Sequence, residues 1–225
     1  MIHYVINMKR DTRRWDAMKH LPMKLERFEA IDGSDVKGSV SARANIYNGY
    51  KHSHLEIDSV GALGCAMSHI ALWKRISTEP CVILEDDVIL LEDYDRRLAL
   101  AVASGYDLVM LGKQYGHATK GVETLVPWSR KGKLHNGSFA YYLTPVGAKL
   151  LLDNVFPVSM SNDHYMYGLF GVLDKPIGYI RAFDTRAFLN PSTIQHVPIG
   201  RNKWNYKNII IVVLVMYILH LQTQC

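Results

Sequence analysis

Short apolar runs separated by polar turns recur along the chain, and they predict a central sheet. Continuous apolar runs of about four to eight residues are typical of strands buried on both faces. Three runs of this kind are expected to be buried strands: Ile2 to Ile6, Cys81 to Leu84 and Asp107 to Leu111. Three more strands are expected at Phe28 to Ile31, around Phe139 to Leu143 and near Gly178 to Ala182.

Helical patterns lie between these strands. Gly61 to Ser77 is apolar on most faces, so we expect a helix that runs through the interior until Pro80 stops it. Further helices are expected from Asp11 or Thr12 to about His20, from Glu92 to Ala103, from Pro145 to Asn154 and from Asp163 to Leu173. Ser34 to Asp58 is polar and mixed, and it predicts a loop-rich excursion. The alternation of strands and helices predicts a doubly wound α/β fold.

Composition favours one main domain at residues 1–202. The chain has 225 residues, of which 48% are hydrophobic, enough for one large core or two small ones. The formal net charge is +5, but Lys and Arg are dispersed, which argues against nucleic acid as a partner. The odd cysteine count of three indicates a reducing compartment rather than a disulfide framework. The first residues do not have the order of charge and apolar length of a secretory signal, so a cytoplasmic location is expected.

The tail at residues 203–225 differs from the rest of the chain. Ile209 to Leu219 is uninterrupted apolar sequence, flanked by Trp204, Tyr206 and Lys207. A helix there would reach roughly 20 Å, which is short for a hydrocarbon core of about 30 Å. The flanking residues suit a membrane interface, so we expect membrane contact. A buried terminal element is the alternative.

Three consecutive carboxylates follow a predicted central strand: Glu85, Asp86 and Asp87. Adjacent carboxylates repel one another, and a site that tolerates them usually holds a cation or a charged ligand. In open α/β sheets, ligands bind beyond the carboxyl ends of the strands, which is where these residues fall. The alternative is that one or two of them cap a turn or pair with arginine.

Two further segments carry candidate binding residues. Gly61 and Gly64 open a helix whose free N–H groups could meet a phosphate, and Ser68 and His69 follow one turn later. Close packing of the glycines and an interior histidine with satisfied hydrogen bonds are the alternatives. After the first strand come Asn7, Lys9 and Arg10, which could hold a base, a ribose or a phosphate. A solvated surface explains Lys9 and Arg10 about as well.

The order of several segments resembles glycosyltransferase family 25, which includes lipopolysaccharide glycosyltransferases and collagen galactosyltransferases. The matching segments are YVINMKRDTRRW at 4–15, FEAIDG at 28–33, GALGCAMSHIALWK at 61–74, VILEDDV at 82–88, DLVMLG at 107–112, AYYLTPVGAKLLL at 140–152 and Asp163-His164. Met8 stands where the family more often has Leu, and the region after Asp184 is only loosely similar. The most specific part is GALGCAMSHIALWK followed shortly by LEDDV.

This resemblance implies a GT-A-like nucleotide-sugar-binding fold with a mostly parallel central sheet. It implies inverting transfer of galactose or glucose from a UDP-sugar to a glycan, glycolipid or hydroxylated protein. It also implies that Asp87 binds a divalent cation together with Glu85, or alternatively with Asp86, and that the expected cation is Mn²⁺. Asp86, Asp32 and Gly33 are expected near the donor. His196 is a candidate late metal ligand, and its alternative is a surface histidine.

The resemblance also makes Asp163 the candidate base, because it matches an acid of the acceptor side in the family. Its alternative is a helix N-cap. Two other functions stay open at this point. A metal-dependent phosphohydrolase would use the same acids, although the sequence has no second Asp/His cluster of comparable density. A catalytically silent nucleotide-sugar-binding module is the other.

Overall fold

The computed structural model describes residues 1–36, 57, 59–112, 124–127, 137–156, 158 and 160–185. His196, the tail at 203–225 and most of the predicted loop-rich excursion lie outside these ranges. Within the described part, no helix is both long enough and apolar enough to span a bilayer. The predictions of a late metal ligand and of membrane contact by the tail therefore stay predictions.

In the described ranges, one eight-stranded sheet is flanked by five α-helices. The strands are β1 (Ile2–Asn7), β2 (Leu25–Glu29), β3 (Cys81–Glu85), β4 (Val88–Leu90), β5 (Leu108–Gly112), β6 (Val126–Pro127), β7 (Ala140–Leu143) and β8 (Gly178–Thr185). The helices are α1 (Thr12–Met18), α2 (Val60–Trp73), α3 (Tyr94–Ala103), α4 (Pro145–Asn154) and α5 (Asn162–Val172). The fold is thus α/β, as predicted.

The strand order is β2-β1-β3-β7-β5-β8-β4, and β6 pairs with β8. Strand β1 runs parallel to β2 and β3, and β5 runs parallel to β8. Strand β7 is antiparallel to both β3 and β5. Five strands therefore run in one direction, namely β1, β2, β3, β5 and β8, and three run in the opposite direction, namely β4, β6 and β7. The prediction of a mostly parallel sheet is confirmed, and the carboxyl ends of β1 and β3 lie side by side.

The core has two parts, one on each face of the sheet, because successive strand residues point to opposite faces. One part contains α2, α4 and α5 and includes Ile83 and Tyr141 from the strands. The other contains Met18 of α1 and Ala101 of α3, packed with Val82 and Leu84. Helices therefore cover both faces, which explains why the strands read as continuous apolar runs.

Several predicted boundaries differ from the structure. Strand β2 begins at Leu25, earlier than expected. It is an edge strand, and its charged residues interrupt the apolar pattern from which strands are predicted. Helix α2 ends at Trp73, well before Pro80, and Arg75 turns towards β2, where its guanidinium lies 4.9 Å from the ring centre of Phe28. Strands β4 and β6 were not predicted, since each is only three residues or fewer.

Gly33 and Gly64, two of the predicted donor-binding residues, lie where the segment after β2 contacts the backbone of α2. A Cβ added at Gly33 would lie 1.7 Å from the carbonyl oxygen of Val60, and one added at Gly64 would lie 2.6 Å from that of Ile31. No side chain fits at either position. This close approach supports the packing interpretation of Gly64, while donor contact by either glycine stays a prediction.

Gly64→Ala is expected to lower the free energy of unfolding by about 2 kcal/mol or more, because the added methyl meets backbone atoms that cannot rotate away. Helix propensity alone predicts the opposite sign, a gain of about 1 kcal/mol for alanine over glycine in a helix interior. Urea unfolding of the two proteins decides between them. An unchanged or raised midpoint would show that the two segments can separate without cost.

Candidate functional site

The alternation of side chains along β3 divides the acidic triplet between the two faces of the sheet. Cys81 and Ile83 belong to the core under α2, whereas Val82 and Leu84 belong to the core under α1. Continuing this period, Glu85 faces the α2 side and Asp86 the α1 side. The hydrogen bonds of both carboxylates agree with this division.

Asp86 is held entirely by protein groups. One of its oxygens accepts a 2.6 Å hydrogen bond from the side-chain amide of Asn7, and the other forms a 2.6 Å ion pair with Arg14 of α1. Its side chain is only 10% exposed. Burial raises the pKa of Asp86, while Asn7 and Arg14 oppose that rise. The arginine-pairing alternative is therefore confirmed for Asp86, which braces the end of β3 against β1 and α1.

Glu85 is on the face of the sheet that α2 covers, and its side chain is 32% exposed to solvent. Its Oε1 is 3.4 Å from the hydroxyl of Ser138 and 3.7 Å from Nε2 of His69. Neither distance is a strong hydrogen bond. Glu85 thus keeps most of its capacity to accept bonds from a ligand.

The third carboxylate of the triplet, Asp87, is buried and incompletely hydrogen-bonded among the described residues. Its Oδ1 is buried and has no hydrogen-bond partner among the described residues. Burial, followed by the charge of Glu85, raises the pKa of Asp87 from 3.8 to about 6, although Arg14 and a hydrogen bond from Thr185 lower it. A buried carboxylate oxygen without a partner is costly unless something else, such as a cation, binds it.

Asp87→Asn is expected to stabilise the metal-free protein at pH 8 by up to about 3 kcal/mol. The pKa of Asp87 is about 6 in the folded protein against an ordinary value of 3.8. Its ionisation therefore costs stability progressively as pH rises from about 4 to about 6, and the full cost applies above that window. Thermal unfolding in EDTA at pH 8 and pH 4 measures the difference. The gain should shrink at pH 4, where the folded state is protonated and the unfolded state is only about half ionised, and an equal gain at both values would point to packing instead.

Asp163 lies in the first turn of α5, which begins at Asn162 after Ser161 as N-cap. The N-cap interpretation of Asp163 is therefore wrong: its Oδ2 accepts from the backbone N–H of Gly137 and its Oδ1 from that of His164, each at 2.9 Å. Burial alone would raise its pKa, but the contacts with His164 and Gly137 outweigh burial and lower the pKa to about 2. Asp163 is consequently ionised at every physiological pH.

The thiol of Cys65 in α2 is affected by the charges of several of these acids. Burial raises the pKa of its thiol well above the usual value, and the charges of Glu85, Asp163 and Asp87 add to that rise. Of the three carboxylates, Glu85 has an oxygen within 4.8 Å of the Cys65 sulfur. The charges of Asp87 and Asp163 also reach this thiol, and the roles predicted for the three acids stay predictions.

Ser68 and His69 lie deeper in α2 and are fully buried. The hydroxyl of Ser68 accepts from the backbone N–H of Ile31 and donates to the carbonyl of Gly64, so it ties α2 to the segment after β2. His69 Nδ1 is 2.7 Å from the hydroxyl of Tyr141. Both are interior residues, and Ser68 has its hydrogen bonds satisfied within the protein.

A cavity of about 330 Å³ opens at the carboxyl ends of β1 and β2. Arg10 is exposed and forms a 2.6 Å ion pair with Asp32, whose pKa is lowered to about 2 by Arg10 and Ser34. Gly61 lies in the first turn of α2, after the N-cap Ser59. The residues that line the cavity are Met8, Lys9, Arg10, Glu29, Ala30, Asp32 and Asp35. Four of the predicted donor residues thus form two pairs, Asn7 with Asp86 and Arg10 with Asp32, and their contact with a donor stays a prediction.

Sequence reasoning missed Arg14 and Cys65. Arg14 lies in α1, the helix that follows the end of β1, and it pairs with Asp86 at the end of β3. A basic residue shortly after a strand end can form an ion pair with acids at the end of the neighbouring strand. Cys65 precedes His69 by four residues, a spacing that puts both on one helix face. That spacing was the available signal.

The chain is similar to a known protein family, to a curated protein and to a solved structure. The family model described as Glycosyltransferase family 25 (LPS biosynthesis protein) matches residues 1–166. The protein named "Putative glycosyltransferase R655" from Acanthamoeba polyphaga mimivirus is 29% identical over 104 residues, which cover 42% of this chain and 31% of that relative's length. The crystal structure of A197 from STIV aligns with a TM-score of 0.38 and 9% identity, covering 81% of this chain and 82% of the other.

Proposed function

This chain belongs to glycosyltransferase family 25, and we propose that it transfers a hexose, galactose or glucose, from a UDP-sugar to a glycan, glycolipid or hydroxylated protein. The observation that supports this most is the buried, unpartnered Oδ1 of Asp87 beside Glu85 at the carboxyl end of β3. A fold that keeps such an oxygen free at a ligand-binding edge of its sheet is arranged for a cation or a charged ligand.

Glu85 and Asp87 fit a hard divalent cation, Mn²⁺ most of all, because the partly exposed Glu85 has no strong hydrogen bond and the buried Oδ1 of Asp87 has no partner among the described residues. When bound, the cation neutralises the charge of the departing diphosphate. Asp86 contributes differently, since Asn7 and Arg14 occupy both of its oxygens. Its role is to hold the turn that presents Glu85 and Asp87.

The cavity beside Arg10 and Asp32 is the proposed place for the nucleoside of the donor. Its volume of about 330 Å³ lies at the lower end of ordinary ligand sites. Asp32 and Asp35 offer acceptors for ribose hydroxyls, while Lys9 and Arg10 offer positive charge to phosphate. The cavity lies at the carboxyl end of β1, next to the end of β3, as binding in an open α/β sheet requires.

Asp163 is the proposed base of an inverting transfer. It takes the proton from the acceptor hydroxyl, the hydroxyl oxygen forms a bond to the anomeric carbon, and the bond to the diphosphate breaks on the opposite face. A pKa of about 2 keeps Asp163 ionised but makes it a weak base in the free protein. Accepting the proton therefore requires that its hydrogen bond from Gly137 or His164 weaken when the acceptor binds.

A panel of nucleotide sugars with Mn²⁺, assayed for free nucleoside diphosphate and for labelled product, tests the proposal. We expect UDP release from UDP-galactose or UDP-glucose that increases with a carbohydrate acceptor and gives a β-linked product. Phosphate release instead of sugar transfer would indicate a phosphohydrolase. Binding of UDP without turnover on any acceptor would indicate a silent binding module.

A further inference from the structure

Three potential metal ligands of different chemistry meet beside α2. Cys65 and His69 are four residues apart on this helix and so lie on one face, and Glu85 at the end of β3 points to that face. The Sγ of Cys65, a ring nitrogen of His69 and a carboxylate oxygen of Glu85 all lie within 4.8 Å of one another. Two rigid elements therefore hold a sulfur, a nitrogen and an oxygen around one point.

His69 supplies an independent sign of a ligand. Its side chain is fully buried, yet Nε2 has no hydrogen-bond partner among the residues the structure describes. Nε2 lies 3.7 Å from Oε1 of Glu85, too far for a hydrogen bond. Two ligand atoms that each lie about 2.0 to 2.1 Å from a tetrahedral ion are roughly 3.4 Å apart. Nε2 and Oε1 therefore need to approach each other only slightly to share an ion.

The opposite ring nitrogen of His69 is already held. Nδ1 lies 2.7 Å from the hydroxyl of Tyr141, which also accepts a 2.9 Å hydrogen bond from Nε1 of Trp73. A phenolic oxygen has two lone pairs, so it can accept from both Trp73 and a protonated Nδ1. Metal-binding histidines are usually oriented by such a bond from the other nitrogen.

We propose that Cys65, His69 and Glu85 bind a thiophilic divalent cation of the Zn²⁺ class. Thiolate and imidazole ligands favour Zn²⁺, whereas Mn²⁺ and Mg²⁺ favour oxygen. On binding, the Cys65 thiol releases its proton to solvent and the thiolate forms the bond to the cation. Three protein ligands leave a fourth position for water or for a group of a bound ligand.

The site shares Glu85 with the proposed donor cation but does not depend on that proposal. A Zn²⁺-class ion that occupies Glu85 withdraws it from Mn²⁺, so the two cations compete for one carboxylate. In the rival arrangement, the hydroxyl of Tyr141 donates to Nδ1 and a protonated Nε2 faces Glu85. His69 then only orients Glu85, and no thiolate takes part.

Cobalt titration separates these arrangements, because Co²⁺ is a spectroscopic substitute for Zn²⁺ whose thiolate complexes absorb in the near ultraviolet. All proteins carry Cys225→Ser, so that Cys65 and Cys81 are the cysteines that remain. We expect a thiolate-to-Co²⁺ band that Zn²⁺ removes, that Cys65→Ser abolishes and that Cys81→Ala retains. His69→Gln should weaken Co²⁺ binding by about 10-fold or more.

A second measurement leaves all three proposed metal-binding residues in place. Alkylation of Cys65 in the same Cys225→Ser protein, followed by mass spectrometry, should slow at least about 10-fold with Zn²⁺ and recover with a chelator. Absence of the cobalt band, or an alkylation rate that Zn²⁺ leaves unchanged, would overturn the proposal. Mn²⁺-dependent UDP binding is measured separately, so failure of this site and failure of the proposed activity are distinguishable.

Discussion

Asp87→Ala is expected to abolish Mn²⁺-dependent UDP binding, and sugar transfer with it. The substitution removes the carboxylate whose buried oxygen lacks a protein partner. Loss of a residue that only supports a metal ligand already costs about 10- to 100-fold in metal affinity, so loss of a ligand should cost more than about 100-fold. Calorimetric titration of UDP with and without Mn²⁺ measures the effect.

Asp86→Asn is the matched control in the same triplet. It keeps the volume of the side chain but removes the charge that pairs with Arg14 at 2.6 Å. Because it leaves a mostly buried arginine without its carboxylate, the melting temperature should fall. UDP binding per folded molecule should keep its Mn²⁺ dependence. Ordinary Mn²⁺-dependent binding in Asp87→Ala, or its loss only in Asp86→Asn, would reverse the assigned roles.

Asp163→Asn is expected to lower transfer by roughly two to four orders of magnitude while UDP binding survives. Asparagine retains the shape and an acceptor oxygen for the N–H of Gly137 or His164, but its amide cannot take the acceptor proton. Initial rates at saturating donor measure the loss. Unchanged turnover would remove Asp163 as the base.

Stability must be controlled in that comparison. The pKa of Asp163 is lowered from 3.8 to about 2, so its ionised form stabilises the fold above pH 4, and this contribution is lost as pH falls through about 2. Asp163→Asn should therefore melt earlier at pH 7, and rates should be taken well below its melting temperature. Asp107→Asn is a suitable control, because Asp107 accepts from the hydroxyl of Thr144 at the amino end of β5, whereas the predicted site lies at the carboxyl ends of the parallel strands. Its turnover should stay unchanged.

Much of the architecture follows from local sequence. The apolar runs of β1, β3 and β5 are buried on both faces, so they predict central strands without knowledge of their partners. Thr144 followed by Pro145 marks the start of α4, where the hydroxyl of Thr144 accepts from the backbone N–H of Gly147. Family membership was also readable from the order of the short motifs.

Other elements depended on their neighbours. Strand β2 has the sequence LERFE, in which charged and apolar residues do not alternate regularly, and only its pairing with β1 decides where it begins. Strand β4 is three residues long and exists because β8 pairs with it. Such short or polar segments have no decisive local preference, so tertiary pairing determines them.

For the site, the sequence by itself determined that three carboxylates follow a buried strand and that a second acid comes late in the chain. It could not determine their roles. The period of two along β3 sends Asp86 towards Arg14 and Asn7 and leaves Glu85 on the side of Cys65 and His69.

Only the tertiary structure decided which acid is neutralised by protein groups and which keeps a buried oxygen free. The low pKa of Asp163 and the raised pKa of Asp87 have the same origin. Burial penalises both charges, but contacts with the adjacent His164 and with the backbone N–H of Gly137 compensate for it at Asp163, whereas Arg14 and Thr185 compensate insufficiently at Asp87. How deeply each carboxyl is buried, and which distant groups reach it, depends on the packing of the whole fold, so the sequence around each acid does not determine its pKa.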